Sequence, residues 1–174
     1  VSGRAHNAPL VIGIHSAQGT VKSTLTLFLR ELLTNHYRIP TASFSLDDLY
    51  LNRAEREQRA NEIHPLFITR GVPGTHDLAL GQNVIDQLKA AHQDTETDIP
   101  PFDKSRYDRY PNAQWPVFNG IADIILVEGW FVGSVPAASD ASLLDPVNEL
   151  YRSDHSAGLS SLNFNCCSIL PSVL

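Results

Sequence analysis

The chain has 174 residues, enough for one ordinary domain and short for two. Its 13 Lys and Arg against 19 Asp and Glu leave a net charge of −6, which argues against the basic face that a nucleic-acid partner needs. Hydrophobic residues at 43% suffice for a core, and no apolar run approaches the roughly 18 residues of a membrane span or the length of a secretory leader.

Leu10-Val11-Ile12-Gly13-Ile14 is a short apolar run that reads as a buried strand of a parallel sheet. Small residues follow, and then Leu25, Phe28, Leu29 and Leu32 recur at helical spacing, predicting an amphipathic helix. Ala42, Phe44 and Leu46 alternate with Ser43, Ser45 and Asp47, giving a second strand. Residues 52–63 are charge-rich and helical in pattern, with Glu55 four residues before Arg59. Val72-Pro73-Gly74 fits a turn, after which Thr75 is the expected cap of a helix carrying Leu78, Ile85 and Leu88 toward the core. Ile99-Pro100-Pro101 breaks structure before a polar loop over 102–111. Ile124-Ile125-Leu126-Val127 is the clearest buried strand and ends in Glu128-Gly129. Strands alternating with helices predict an α/β fold with a parallel sheet covered on both faces.

After Asp154 the composition changes: the last twenty residues hold five serines and no Lys, Arg, Asp or Glu. The expectation is a core over residues 1–154 and an atypical tail over 155–174, frameshifted or disordered. The chain starts at Val1 and has no Met, as in a fragment, a processed chain or a partial gene product. Its only cysteines, Cys166 and Cys167, are adjacent, which suits neither a metal site nor separate disulfides and reads as reduced thiols in the cytoplasm.

Each strand runs into residues that can do chemistry. The first leads to a loop ending Lys22-Ser23, the second to Asp47-Asp48 and the third to Glu128. Ligands of open α/β sheets bind at the carboxyl ends of the strands. Parallel strands would therefore gather a lysine, a hydroxyl and carboxylates at one edge, the equipment for a magnesium nucleotide. The loop departs from the phosphate-binding pattern G-x-x-x-x-G-K-[ST]: Lys22 and Ser23 are in register, but Ser16 and Val21 replace the glycines. Val21 is the graver change, because a β-branched residue is an outlier at positive φ. A plain strand–turn–helix with a surface lysine is the alternative for this segment, and helix capping is the alternative for Asp47-Asp48. Glu128 is harder to explain away, since an acid ending a buried strand is costly unless paired, solvated or bound to a cation. Arg70, Lys104, Arg106 and Arg109 are candidate clamps on phosphate or carboxylate, or simply solvated charges. The seven histidines lack metal-ligand spacing, and His64 and His76 could touch substrate or be structural.

With these residues in view, the chain resembles the P-loop small-molecule kinases of the phosphoribulokinase and uridine kinase superfamily, and within it the D-glycerate 3-kinase-like group. The carrying segments are Ile12-Gly13-Ile14 through Ser23-Thr24, Ser45-Leu46-Asp47-Asp48-Leu49-Tyr50 and His64-Pro65-Leu66-Phe67. They continue with Thr69-Arg70-Gly71-Val72-Pro73-Gly74-Thr75-His76-Asp77, Pro101-Phe102-Asp103-Lys104-Ser105, Asp108-Arg109 and Leu126-Val127-Glu128-Gly129-Trp130. The resemblance implies a P-loop NTPase-type three-layer sandwich with a mostly parallel sheet, here truncated at its C-terminal side. It implies ATP-dependent phosphorylation of a small-molecule hydroxyl with Mg²⁺, D-glycerate being the suggested acceptor. Ser16, Ala17, Gln18, Gly19, Thr20, Val21, Lys22, Ser23 and Thr24 would form the nucleotide loop, with Lys22 neutralising the β- and γ-phosphates. Ser23 and Glu128 would hold the metal, Asp47 would be the base, and Asp48, Tyr50, Arg70, His76 and Arg109 would contact substrate. The competing reading is a degenerate, non-catalytic nucleotide-binding remnant, because the two loop glycines and the expected lid region are missing. Neither nucleic acid nor membrane is expected as a partner, and the oligomeric state is not readable.

Overall fold

The computed structural model describes residues 8–17, 19–71 and 74–134. The expected boundary at Asp154, the tail, both cysteines, Gln18 and the first two residues of the Val72-Pro73-Gly74 turn lie outside the described residues. Three strands make the main sheet: β1 (Leu10–His15), β2 (Thr41–Ser45) and β7 (Ile124–Gly129), in the order β1-β7-β2 with both pairings parallel. The register sets Ile14 and Ser45 beside Glu128, so all three strands end at one edge. Helices α1 (Lys22–Glu31), α2 (Arg53–Glu62) and α3 (Leu78–Ala90) supply the connections, α1 continuing into a π-helical turn at Leu32–His36.

Side chains alternate across a strand, so the central β7 has two faces. Ile125 and Val127 join Ala42, Phe44 and the α3 residues Val84, Ile85 and Leu88 in one buried cluster. Ser23 and Thr26 of α1 line the other face near Glu128 and Ser43. This gives helices on both faces of a parallel sheet, as the alternation of elements predicts. Asp77, rather than the expected Thr75, caps α3: its side chain accepts from the Leu80 N–H, while Thr75 is fully buried. A carboxylate also complements the helix dipole, which a hydroxyl does not.

Three further readings change. The strand β1 is not buried: among the described residues it is an edge, with Leu10 and Ile12 exposed. The stripe on α1 likewise does not face the core, since Thr26 is its buried residue and Leu25 and Phe28 point outward, Phe28 at 61% exposure. Periodicity establishes that a helix has an apolar face and cannot say which neighbour meets it. The segment 102–111 is not an irregular loop either. It forms the antiparallel hairpin β4 (Phe102–Asp103) and β5 (Asp108–Arg109), beside a second antiparallel pair, β3 (Glu96–Asp98) with β6 (Val117–Asn119).

Candidate active site

At the carboxyl edge of the sheet, Ser23 Oγ donates to Glu128 Oε1 at 2.7 Å, joining the first turn of α1 to the end of β7 across 105 residues. Glu128 is 5% exposed, and no Lys or Arg among the described residues forms an ion pair with it. A buried carboxylate with one hydroxyl partner retains strong acceptor capacity for a cation. Gly129 follows because Leu46 leaves no room for more: a Cβ on Gly129 would lie 2.5 Å from the Leu46 Cβ. The Glu-Gly pair is thus an acid whose neighbour is trimmed so that β7 can pack against the end of β2.

After β2 the chain enters a 3-10 turn, Leu46–Leu49, opened by a reciprocal cap. Ser45 Oγ accepts from Asp47 N, and Asp48 accepts from Ser45 N at 3.1 Å and Phe102 N at 3.3 Å. Burial pushes the Asp48 carboxyl above the usual range, opposed by those two backbone donors. Its oxygens are therefore engaged in tying the β4–β5 hairpin to the sheet. Asp47 stands on the open side. Its Oδ1 accepts from Tyr50 Oη at 3.1 Å and its Oδ2 from Lys104 Nζ at 3.0 Å. Tyr50 is buried, and burial followed by the Asp47 charge raises its phenol pKa, so it remains a donor. A cavity of about 410 Å³ brings Ser23, Asp47, Asp48, Lys104 and Glu128 to a common wall.

None of the remaining described candidates lines this cavity. Lys22 turns back to donate to the Ala17 carbonyl at 3.0 Å. Ser16 and Thr20 share a hydrogen bond between hydroxyls, and Thr20 also donates to the Ala17 carbonyl. Gly19 and Val21 both have positive φ, 77° and 57°, and Val21 is the unassisted N-cap of α1. Thr24 is exposed on the first turn of α1. Arg70 lays its guanidinium against Tyr107 and Phe102, 4.6 and 5.7 Å from the ring centroids. His76 stacks behind Tyr50 with ring centroids 4.5 Å apart, its Nε2 without a partner among the described residues, and burial depresses its pKa to about 4. Arg109 binds the Tyr50 carbonyl at 2.9 Å and Asp77 at 3.2 Å, a brace within the protein.

No family model matches the chain. An uncharacterised kinase of Schizosaccharomyces pombe is 38% identical over 138 residues, covering 75% of this chain and 49% of that protein. The chloroplastic D-glycerate 3-kinase of Arabidopsis thaliana is 34% identical over 151 residues, 82% of this chain and 33% of that protein. The solved D-glycerate 3-kinase of Cryptococcus neoformans superposes with a TM-score of 0.74 at 29% identity, over 91% of this chain and 58% of that one. The chain belongs to the P-loop small-molecule kinases of the phosphoribulokinase and uridine kinase superfamily. A pantothenate kinase of Clavibacter sepedonicus is also similar, 30% identical over 141 residues, 80% of this chain and 41% of that protein. The chain spans about half or less of the length of these curated relatives.

For this P-loop kinase, one arrangement had no signal in the sequence. Lys104 and Asp47 are 57 residues apart, and only the hairpin β4–β5 makes them neighbours. The hairpin in turn depends on Arg56, which looks like one more charge on α2 but is 1% exposed. It donates to the Leu51 and Tyr107 carbonyls and faces the Tyr107 ring, 4.8 Å from its centroid. A run reading Arg-Ala-Glu-Arg-Glu-Gln-Arg carries no mark of which arginine is inside. No helix among the described residues is long and apolar enough to cross a membrane.

Proposed function

We propose that this chain transfers the γ-phosphoryl group of ATP to a hydroxyl of a small acid in the cytoplasm, with D-glycerate as the acceptor. The observation that carries this reading is the shared cavity: a hydroxyl–carboxylate pair, Ser23 and Glu128, faces an open carboxylate, Asp47. Ser23 and Glu128 are hard oxygen donors of the kind Mg²⁺ takes, and Glu128 is a buried acid without a counter-ion among the described residues. Those two residues would hold the metal, which supplies charge neutralisation between the phosphates. Lys22 would leave the Ala17 carbonyl for the β- and γ-phosphates, within the cradle of residues 16–24. Asp47 accepts the proton of the acceptor hydroxyl as its oxygen bonds to the γ-phosphorus, the bond to the β-phosphate oxygen breaks, and ADP leaves. Tyr50 keeps the Asp47 carboxylate oriented for that transfer. Asp48, His76 and Arg109 serve the reaction by holding Tyr50 and the hairpin in place, and Arg70, beside the Lys104 carbonyl, would contact the acceptor.

The relatives differ in acceptor, glycerate in one and pantothenate in another, and both are hydroxy acids. Incubation with Mg-ATP and either acid, followed by phosphorus NMR, decides between them. D-glycerate is expected to yield a phosphate monoester, and Asp47→Asn is expected to lower kcat by about 10²–10⁴-fold. The positive φ of Val21 favours the second reading, a remnant that does not bind nucleotide. Absence of both ATP binding and transfer in the wild-type chain would establish it.

A further inference from the structure

The two donors to Asp47 differ in a way that the reaction alone does not require. Tyr50 holds Oδ1 from a buried position, 4% exposed, with His76 behind its ring. Lys104 holds Oδ2 from the turn of the β4–β5 hairpin, with side-chain exposures of 58% for the lysine and 36% for the acid. An ion pair this open to water contributes little to stability, so giving it up costs little. A second cation adjoins it, since Arg70 Nη1 reaches the Lys104 carbonyl at 3.5 Å. An acceptor whose hydroxyl approaches Asp47, and whose anionic group lies a bond or two away, meets the Lys104 ammonium at the same point. The carboxylate of Asp47 then occupies the lysine that the acceptor needs.

We propose that Lys104 is a displaceable counter-ion. It rests on Asp47 until the anionic group of an acceptor takes the ammonium, and the transfer frees Asp47 Oδ2 to receive the hydroxyl proton. The inference rests on the reading of Asp47 as the group facing the acceptor, and it adds a selection step. A neutral alcohol, water included, leaves Lys104 in place and finds the base half occupied. Lys104 is thus a positioning and specificity residue, while Tyr50 is the fixed hinge about which the carboxylate is oriented.

Calorimetric titration of the full 174-residue chain with D-glycerate and with glycerol tests this on wild type and on Lys104→Met, Lys104→Arg and Asp47→Asn. Lys104→Met is expected to weaken glycerate binding by about tenfold or more, the loss typical of a charged hydrogen bond, and Lys104→Arg to retain most of it. Asp47→Asn removes the internal competitor and is expected to tighten glycerate by about two- to fivefold. Glycerol, which has no carboxylate, is expected to distinguish none of the variants. The inference is overturned if Lys104→Met binds glycerate as wild type does, if Asp47→Asn fails to tighten it, or if no variant binds glycerate at all. Loss of phosphoryl transfer in wild type with these binding differences intact would sink the kinase reading and leave the counter-ion exchange standing.

Discussion

The two sides of the candidate site are built from different physics. On the acid side, Glu128 is fixed by β7, Gly129 is pressed against Leu46, and Asp48 is held by two backbone amides. On the loop side, Val21 sits at φ 57° and ψ 26° with 71% exposure, and Lys22, Ser16 and Thr20 bond within the loop itself. The acid side depends on packing, which many residues support together. The loop depends on backbone shapes that glycine adopts freely and valine opposes, so two substitutions suffice to damage it. Under the proposed function, the acid side would keep its geometry even where the loop side loses the shape that a phosphate cradle needs.

The sharpest way to break the sound side is through Arg56, which does not line the cavity. Arg56→Ala would strand the Leu51 and Tyr107 carbonyls and empty the space beside Phe102 and Tyr107. Each unpaired buried group costs about 1–3 kcal/mol, so a loss on the order of 4 kcal/mol is expected once the packing defect is added. Urea unfolding with an unchanged m-value is the check. A loss below 1 kcal/mol would mean that the acid side does not depend on this arginine.

Acid should find the same side next. His76 is neutral in the fold, its pKa depressed by burial to about 4 from an ordinary 6.5. Above pH 6.5 both states are unprotonated and the residue adds no pH dependence. As pH falls from 6.5 to 4 the unfolded chain takes up a proton that the native chain refuses, and stability drops by about 3 kcal/mol. His76→Phe should flatten the stability profile across that window, as read by urea midpoints at a series of pH values. A slope unchanged by the substitution would assign the acid sensitivity elsewhere.

How far the sequence goes follows the same division. The apolar run at 124–127 and the alternation at 42–46 mark β7 and β2 because a strand buried on both faces, or on one, leaves a pattern in its own residues. The places of Glu128, within β7, and of Asp47, two residues past β2, were legible for that reason. The orientation of α1 was not legible, because Leu25 and Phe28 declare an apolar face without naming what it meets. The hairpin β4–β5 was missed because two-residue strands have no period to detect, and with it went the meeting of Lys104 and Asp47. The strain at Val21 was readable from the side chain alone once the phosphate-loop pattern set its position, and the backbone angle agrees with that reading.

The smallest expected effect sharpens the weak side. Holding a β-branched residue in the left-handed region costs about 1–3 kcal/mol, whereas glycine returns about 0.4–1 kcal/mol of that through its freer unfolded chain. Val21→Gly should therefore stabilise the protein by roughly 1 kcal/mol, read as a higher urea midpoint. Under the proposed function strain would be only half of the difficulty, because valine methyls would crowd phosphate oxygens approaching the backbone. Val21→Asn separates the two contributions: asparagine tolerates the left-handed region while still carrying a side chain. If strain alone limits the loop, Asn and Gly should raise Mg-ATP affinity equally, as measured by calorimetry. If the side chain itself blocks the phosphate, only Gly should raise it, and Ser16→Gly should add to that gain. Equal stability and equal ATP affinity across wild type, Asn and Gly would show that Val21 is not what separates this loop from a working one.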